Sequence, residues 1–133
     1  MILLDNKYVT VKHYESEKCI SYSWRGFVPS KILRNTLIDV LRWIEEYNIT
    51  SIINDAKQIG AVGQADQEWI TEEFTPKLTK TSIKLSAIIF PISVFGKISS
   101  QEIGKKNPVD DMGRIITNYF ETEEKALEWI KIS

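Results

Sequence analysis

Apolar and polar positions alternate along YVTVKHY, residues 8–14, and a second stretch rich in β-branched and aromatic types, CISYSWR, follows at 19–25. A period of two is the mark of a half-buried strand, and the polar ESEK between the two stretches predicts a hairpin turn. Ile2 to Leu4 either lengthens the first strand or pairs separately. Gly26 breaks the alternation, and Pro29-Ser30 opens a helix, where the missing N–H of proline costs little. The period then changes. Leu33, Leu37, Val40, Leu41 and Ile44 recur at helical spacing, which predicts a helix over 30–47 with one buried face and with Trp43 and Tyr47 at its edge.

Residues 50–54, TSIIN, read as a short buried strand that ends at Asp55. A loop with Gly60 and Gly63 leads to a second helix from about residue 66, with Trp69, Ile70, Phe74 and Leu78 on one face and Pro76 dividing it. Residues 84–90, KLSAIIF, are apolar on both faces, as a central strand covered on two sides requires, and Pro91 ends it. A third helix is expected over 92–106, anchored by Phe95, Ile98 and Ile103, then a loop, NPVDDMG, and a strand, RIITNYF, at 114–120. In the closing TEEKALEWIKI, Thr122 is the expected N-cap and acidic residues occupy the first turn, which the helix dipole favours. The order β-β-α-β-α-β-α-β-α predicts an α/β fold with one mixed, mostly parallel sheet, in a single domain spanning residues 1–133.

That order and three local features resemble the SpoIIAA-like branch of the STAS-like superfamily. The features are Trp24-Arg25-Gly26 after the second strand, Ile52-Ile53-Asn54-Asp55 at the end of the third, and the closing YFETEEKALEWI from Tyr119 to Ile130. The resemblance implies helices packed largely on one face of a small sheet and a role as a partner-binding module, with nucleotides or lipids bound by some STAS domains. Founding STAS domains carry a phosphorylatable serine at the start of the helix after the third strand. The matching stretch here is Gly63-Gln64-Ala65-Asp66, with no hydroxyl, so a phospho-switch of that kind is not expected; Asp66 resembles a permanently charged replacement.

Composition narrows the chemistry. Seventeen basic and eighteen acidic side chains nearly cancel, so no basic face is expected for nucleic acid. The absence of an apolar stretch near the ~18 residues of a membrane span argues against stable membrane insertion. The opening MILLDNKYVT lacks the features of a secretory signal, and Cys19 is the only cysteine, so a cytoplasmic location with a reduced thiol is expected.

The loop at 55–69 fails the specific tests for a ligand motif. No Gly-Lys-Ser/Thr follows Gly63, and Gly60-Ala61-Val62-Gly63 is too short for a dinucleotide fingerprint. The same G-x-x-G lacks the charge and the strand-helix setting of an RNA clamp. Asp66 as an N-cap would occupy the free N–H groups that an anion needs. Asp55 stands at a strand's carboxyl end, where a ligand crevice can form, but it serves equally to bond loop amides; the amide-bonding role is preferred. His13 shares a face with Val9 and Val11, which points to a hydrogen-bonded structural role. Cys19 is expected to be a packed residue. A Cys19–His13 pair across the hairpin is allowed by composition but has no third group to orient it.

No catalytic set, metal site or cofactor is expected. The leading expectation is a non-enzymatic, STAS-like interaction or regulatory module that forms a homodimer or binds an unknown protein. The alternative is a small-molecule or lipid-like carrier or sensor whose apolar pocket lies between the central loop, the 92–106 helix and the sheet. The candidate binding residues are Asp55, Lys57, Gly60, Gly63, Gln64, Trp69, Trp24 and Arg25.

Overall fold

The alternation in the first quarter of the chain produces the strands it predicts. β2 (Val9–Tyr14) buries Val9, Val11 and His13 on one face and pairs antiparallel with β3 (Cys19–Gly26) across the ESEK turn. The computed structural model describes residues 1–90 and 115–133. Ile2–Asp5 forms a strand of its own, β1, antiparallel to β2 and bulged between Ile2 and Leu4. From β3 onward the sheet is parallel, through β4 (Ser51–Ile59), β5 (Leu85–Ile89) and β6 (Ile116–Phe120). The six strands stand in the sheet in chain order.

β4 corrects the sequence reading. It does not stop at 54 but continues through Asp55 to Ile59, because a bulge opposite Ser23–Arg25 lets it follow β3 to its end, pairing Gln58 with Arg25 and Ile59 with Gly26. The presumed loop therefore shrinks to residues 60–63. Gly60 is where the two strand ends meet: its N–H donates to Gly26 O at 2.8 Å. A Cβ at residue 60 would lie 3.2 Å from the Gly26 carbonyl carbon and oxygen and 3.1 Å from Phe27 Cδ1. Gly26 itself has φ +65°, the left-handed conformation that lets β3 turn into the first helix.

α1 (Ser30–Glu46) buries Leu33, Leu37, Val40 and Ile44 as the spacing predicts, with Thr36 and Trp43. Trp43 is in the core rather than at the edge: three residues past Val40, it falls within the apolar stripe, and the Arg42 guanidinium lies 5.2 Å from its ring centre. α2 (Gln64–Trp69) runs through a widened π turn, Ile70–Phe74, into α3 (Thr75–Leu78). Pro76 explains the wide turn. It has no N–H to donate, and its ring clashes with a regular preceding turn; here Thr75 N–H instead reaches back five residues to Ile70 O. α4 (Glu123–Ile132) begins at Thr122, whose hydroxyl accepts from Lys125 N–H at 3.2 Å, the expected cap. The helix expected over 92–106 lies outside the described residues.

Two cores result. The larger packs α1 and the α2–α3 segment on the face carrying Val11, Ile20, Tyr22, Trp24 and Ile52. The smaller lies on the opposite face, where Ala126 and Ile130 of α4 meet Cys19, Ile53, Ala87 and Ile89. Glu123 ties α4 to the sheet. Its carboxylate accepts from the Tyr14 hydroxyl and from Ser21 Oγ at 3.3 Å, and Lys12 Nζ sits 2.9 Å away.

Candidate functional site

Residues opposed across a ladder share a face, so the pairing of Tyr22 with Asn54 places both on the α1 side of the sheet, one strand apart. Trp24 follows on the same face, and its indole Nε1–H donates to Asn54 Oδ1 at 3.1 Å. Over these three residues lies a cavity of about 170 Å³. Leu33 and Leu37 of α1 form one wall, Ile70 and Phe74 of the wide turn another, and Ala56, Ile59 and Val62 the remainder. It sits near the carboxyl ends of the parallel strands, where ligands of open α/β sheets bind. A larger, more open cleft of about 770 Å³ lies at the other end of β4–β6, around Thr50, Thr81, Ser82, Lys84 and Ile116. Among the described residues no aromatic side chain lines it.

The cavity's polar groups are few. Tyr22 is 2% exposed, and burial pushes its phenol well above the ordinary range, so the hydroxyl stays protonated. Among the described residues that hydroxyl has no hydrogen-bond partner, and the Asn54 amide N–H groups donate to none. No charged side chain lines the space.

The residues singled out from sequence do not form one site. Trp24 borders the cavity, but Asp55 and Arg25 belong to the opposite face. Asp55 accepts from Lys57 N–H at 3.1 Å and from Ser23 Oγ at 3.3 Å, the amide-bonding role preferred for it. Arg25 is committed to the first strands: it donates to Thr10 Oγ1 at 2.9 Å and to Asn6 O, and its Nη2 lies 3.6 Å from Asp5. Gly60 is a packing glycine, Gly63 is the N-cap of α2, and Gln64 is exposed and bonded to Glu68 at 3.3 Å. Trp69 is half-buried, with the Arg34 guanidinium 5.5 Å from its ring centre.

Asp66 is not the N-cap of α2. It is the third residue of that helix and points to α1, accepting from Ser30 Oγ at 2.6 Å and from Arg34 Nε at 2.9 Å. The Ser30 hydrogen bond, opposed by burial and reinforced by Arg34, holds the Asp66 carboxyl below its usual range. A depressed carboxyl pKa stabilises the fold fully above the ordinary value of about 3.9, and the gain is lost as pH falls through the lower folded value. Urea unfolding of the parent chain and of Asp66→Asn at pH 6 and pH 3 checks this. The stability gap between the two is expected to narrow at the lower pH.

His13 and Cys19 fall on opposite faces, since His13 pairs with Ile20 and Cys19 with Tyr14, so they cannot form a dyad. His13 is buried by packing rather than by hydrogen bonding: its ring stacks on Tyr47 with centroids 4.8 Å apart, and Nδ1 has no partner. The Cys19 thiol is fully buried and its pKa is raised, by burial first and then by Glu123 and Glu17. That is the reverse of an activated nucleophile. Among the described residues no three His, Cys, Asp or Glu side chains cluster as a metal site, and no helix is long and apolar enough to cross a membrane.

Among solved structures, the chain is similar to an uncharacterised protein of the DUF3478 family from Shewanella loihica PV-4, described as having a SpoIIAA-like fold. The two superpose with a TM-score of 0.62 over 96% of this chain and 98% of that one, at 12% sequence identity. The fold is SpoIIAA-like. The chain matches no protein-family model and no curated protein. At that identity the likeness carries the SpoIIAA-like architecture alone.

Tyr22, Asn54, Leu33, Leu37, Ile70 and Phe74 are not among the candidate binding residues read from the sequence, where Leu33, Leu37, Ile70 and Phe74 figure only as helix-face residues. One signal was available: Asn54 is the polar member of the otherwise apolar Ile52-Ile53-Asn54, at a position facing the larger core.

Proposed function

We propose that this chain is a non-enzymatic regulatory module that binds a small molecule in the cavity between α1, the α2–α3 segment and the sheet. The observation that carries the reading is a cavity of about 170 Å³ with apolar walls over the Tyr22–Asn54 floor. An apolar cavity of roughly 150 Å³ is known to take up benzene, so this space suits a ligand of single-ring size rather than a lipid chain. Binding there joins α1 to the wide turn, next to the bridge that Asp66 of α2 makes to Ser30 and Arg34, and so gives a ligand a structural output.

Native mass spectrometry of the freshly purified protein, before and after mild unfolding, tests the reading together with a ligand-observed NMR screen of benzene-sized compounds. A mass that leaves on unfolding, or saturable binding in the screen, is the expected result; neither would overturn it. Ala56→Leu supplies the control. Its added carbons enter the cavity, so it is expected to abolish binding while leaving the urea midpoint unchanged or raised, whereas a filled core would be strained by about 1–3 kcal/mol.

A partner-binding role is the second reading, favoured by Phe27, which is 75% exposed at the turn into α1. The edge strand β1 gives a homodimer less support, because its bulge and Asp5 blunt edge-to-edge pairing. The same native spectra read the oligomeric state.

A further inference from the structure

Resting on the proposed cavity reading, we infer that its ligand is a neutral molecule of single-ring size carrying a hydrogen-bond acceptor oxygen, such as a cyclic ketone. Three observations exclude the other classes. The walls, from Leu33, Leu37, Ile70 and Phe74, are apolar, and no charged side chain lines the space, so an ionised carboxylate or phosphate would lose its hydration without compensation. The nearby guanidinium of Arg34 is already engaged by Asp66 and Trp69. The floor, in turn, is polar in one sense only. Asn54 Oδ1 is taken by the Trp24 indole, which fixes the amide orientation and leaves the Asn54 N–H groups as unused donors. Tyr22, one strand away and buried, has a hydroxyl with no partner among the described residues. A purely hydrocarbon ligand would cover both donors, which face the cavity, without offering an acceptor, and covering a donor in that way is costly. An acceptor oxygen placed over the Tyr22–Asn54 pair satisfies them while its ring fills the space beneath Leu37 and Phe74.

The test is a matched pair, cyclohexanone and methylenecyclohexane, which differ in C=O against C=CH2 and scarcely in shape. Each is titrated against the parent chain and against Tyr22→Phe. Comparing the change in affinity ratio between the two proteins cancels the ligands' different hydration. Tyr22→Phe is expected to weaken the ketone by roughly three- to tenfold relative to the alkene, with the urea midpoint of the free protein unchanged because the hydroxyl makes no internal bond. The infrared carbonyl band of bound 13C-labelled cyclohexanone is expected to lie lower in the parent chain and to move up in the variant, a shift that a merely structural role of Tyr22 would not produce. If both ligands bind and the ratio does not change, the acceptor class is wrong and the cavity reading stands. If neither binds and Ala56→Leu behaves as the parent does, the cavity reading falls and takes this inference with it. A marked loss of stability in Tyr22→Phe also overturns it, since the hydroxyl would then have an internal partner.

Discussion

Phe74→Ala is expected to lower the free energy of unfolding by about 3–5 kcal/mol, read as a fall in the urea midpoint at unchanged slope. Phe74 is buried at the end of the wide turn and forms part of the cavity wall. Removing its ring therefore joins a new void to an existing one. Collapse around the void is resisted on both sides: the sheet beneath is held by ladders to β3 and β5, and α1 above is pinned by Leu33, Leu37 and Val40. The cost of a large-to-small change rises with the volume that fails to collapse, which places this site toward the upper end of that range. Against a typical total of about 5–15 kcal/mol, the loss is large enough to leave a measurable unfolded fraction at modest denaturant.

Ile53→Ala is the second large effect, on the other face of the sheet. Ile53 is fully buried among Cys19, Ala87, Ile89, Ala126 and Ile130. A loss of about 2–5 kcal/mol is expected, and its distribution matters more than its size. The core beneath α4 is small, and Ala126 and Ile130 are the only residues of that helix buried in it. Amide hydrogen exchange should therefore accelerate in α4 well before it does in α1, whose buried Leu33, Leu37, Val40, Trp43 and Ile44 belong to the larger core. Equal acceleration in both helices would mean that the two cores unfold as one unit.

These expectations rest on elements that the sequence largely announces. The alternation of Val9, Val11 and His13, the helical spacing of Leu33 to Ile44 and the Thr122 cap all became what they foretell, because each is a local rule with nothing opposing it. The strand ending at 54 did not. Asn54 and Asp55 look like strand breakers, yet Asn54 takes the Trp24 indole and Asp55 takes Ser23 and Lys57, so β3 carries β4 on to Ile59. Such pairing is tertiary and leaves no period to read. Asp66 misleads for the same reason. It precedes a helical pattern as a cap would, but Ser30 and Arg34, one turn apart on α1, capture it. The cavity was hidden because its lining comes from β3, α1, β4 and the wide turn, segments that only the fold brings together.

The strictly sequential strand order bears on how the chain is made. Each strand finds its neighbour in a segment already synthesised, so no edge waits for a partner encoded far downstream. The β1–β2–β3 meander closes through short local turns, the least demanding step entropically. The growing edge is then handed from β3 to β4 and from β4 to β5, each time across a helix that covers the same face. Besides the blunted β1 edge, a nascent chain of this kind exposes one growing strand edge at a time, which limits the period in which that edge can capture another chain.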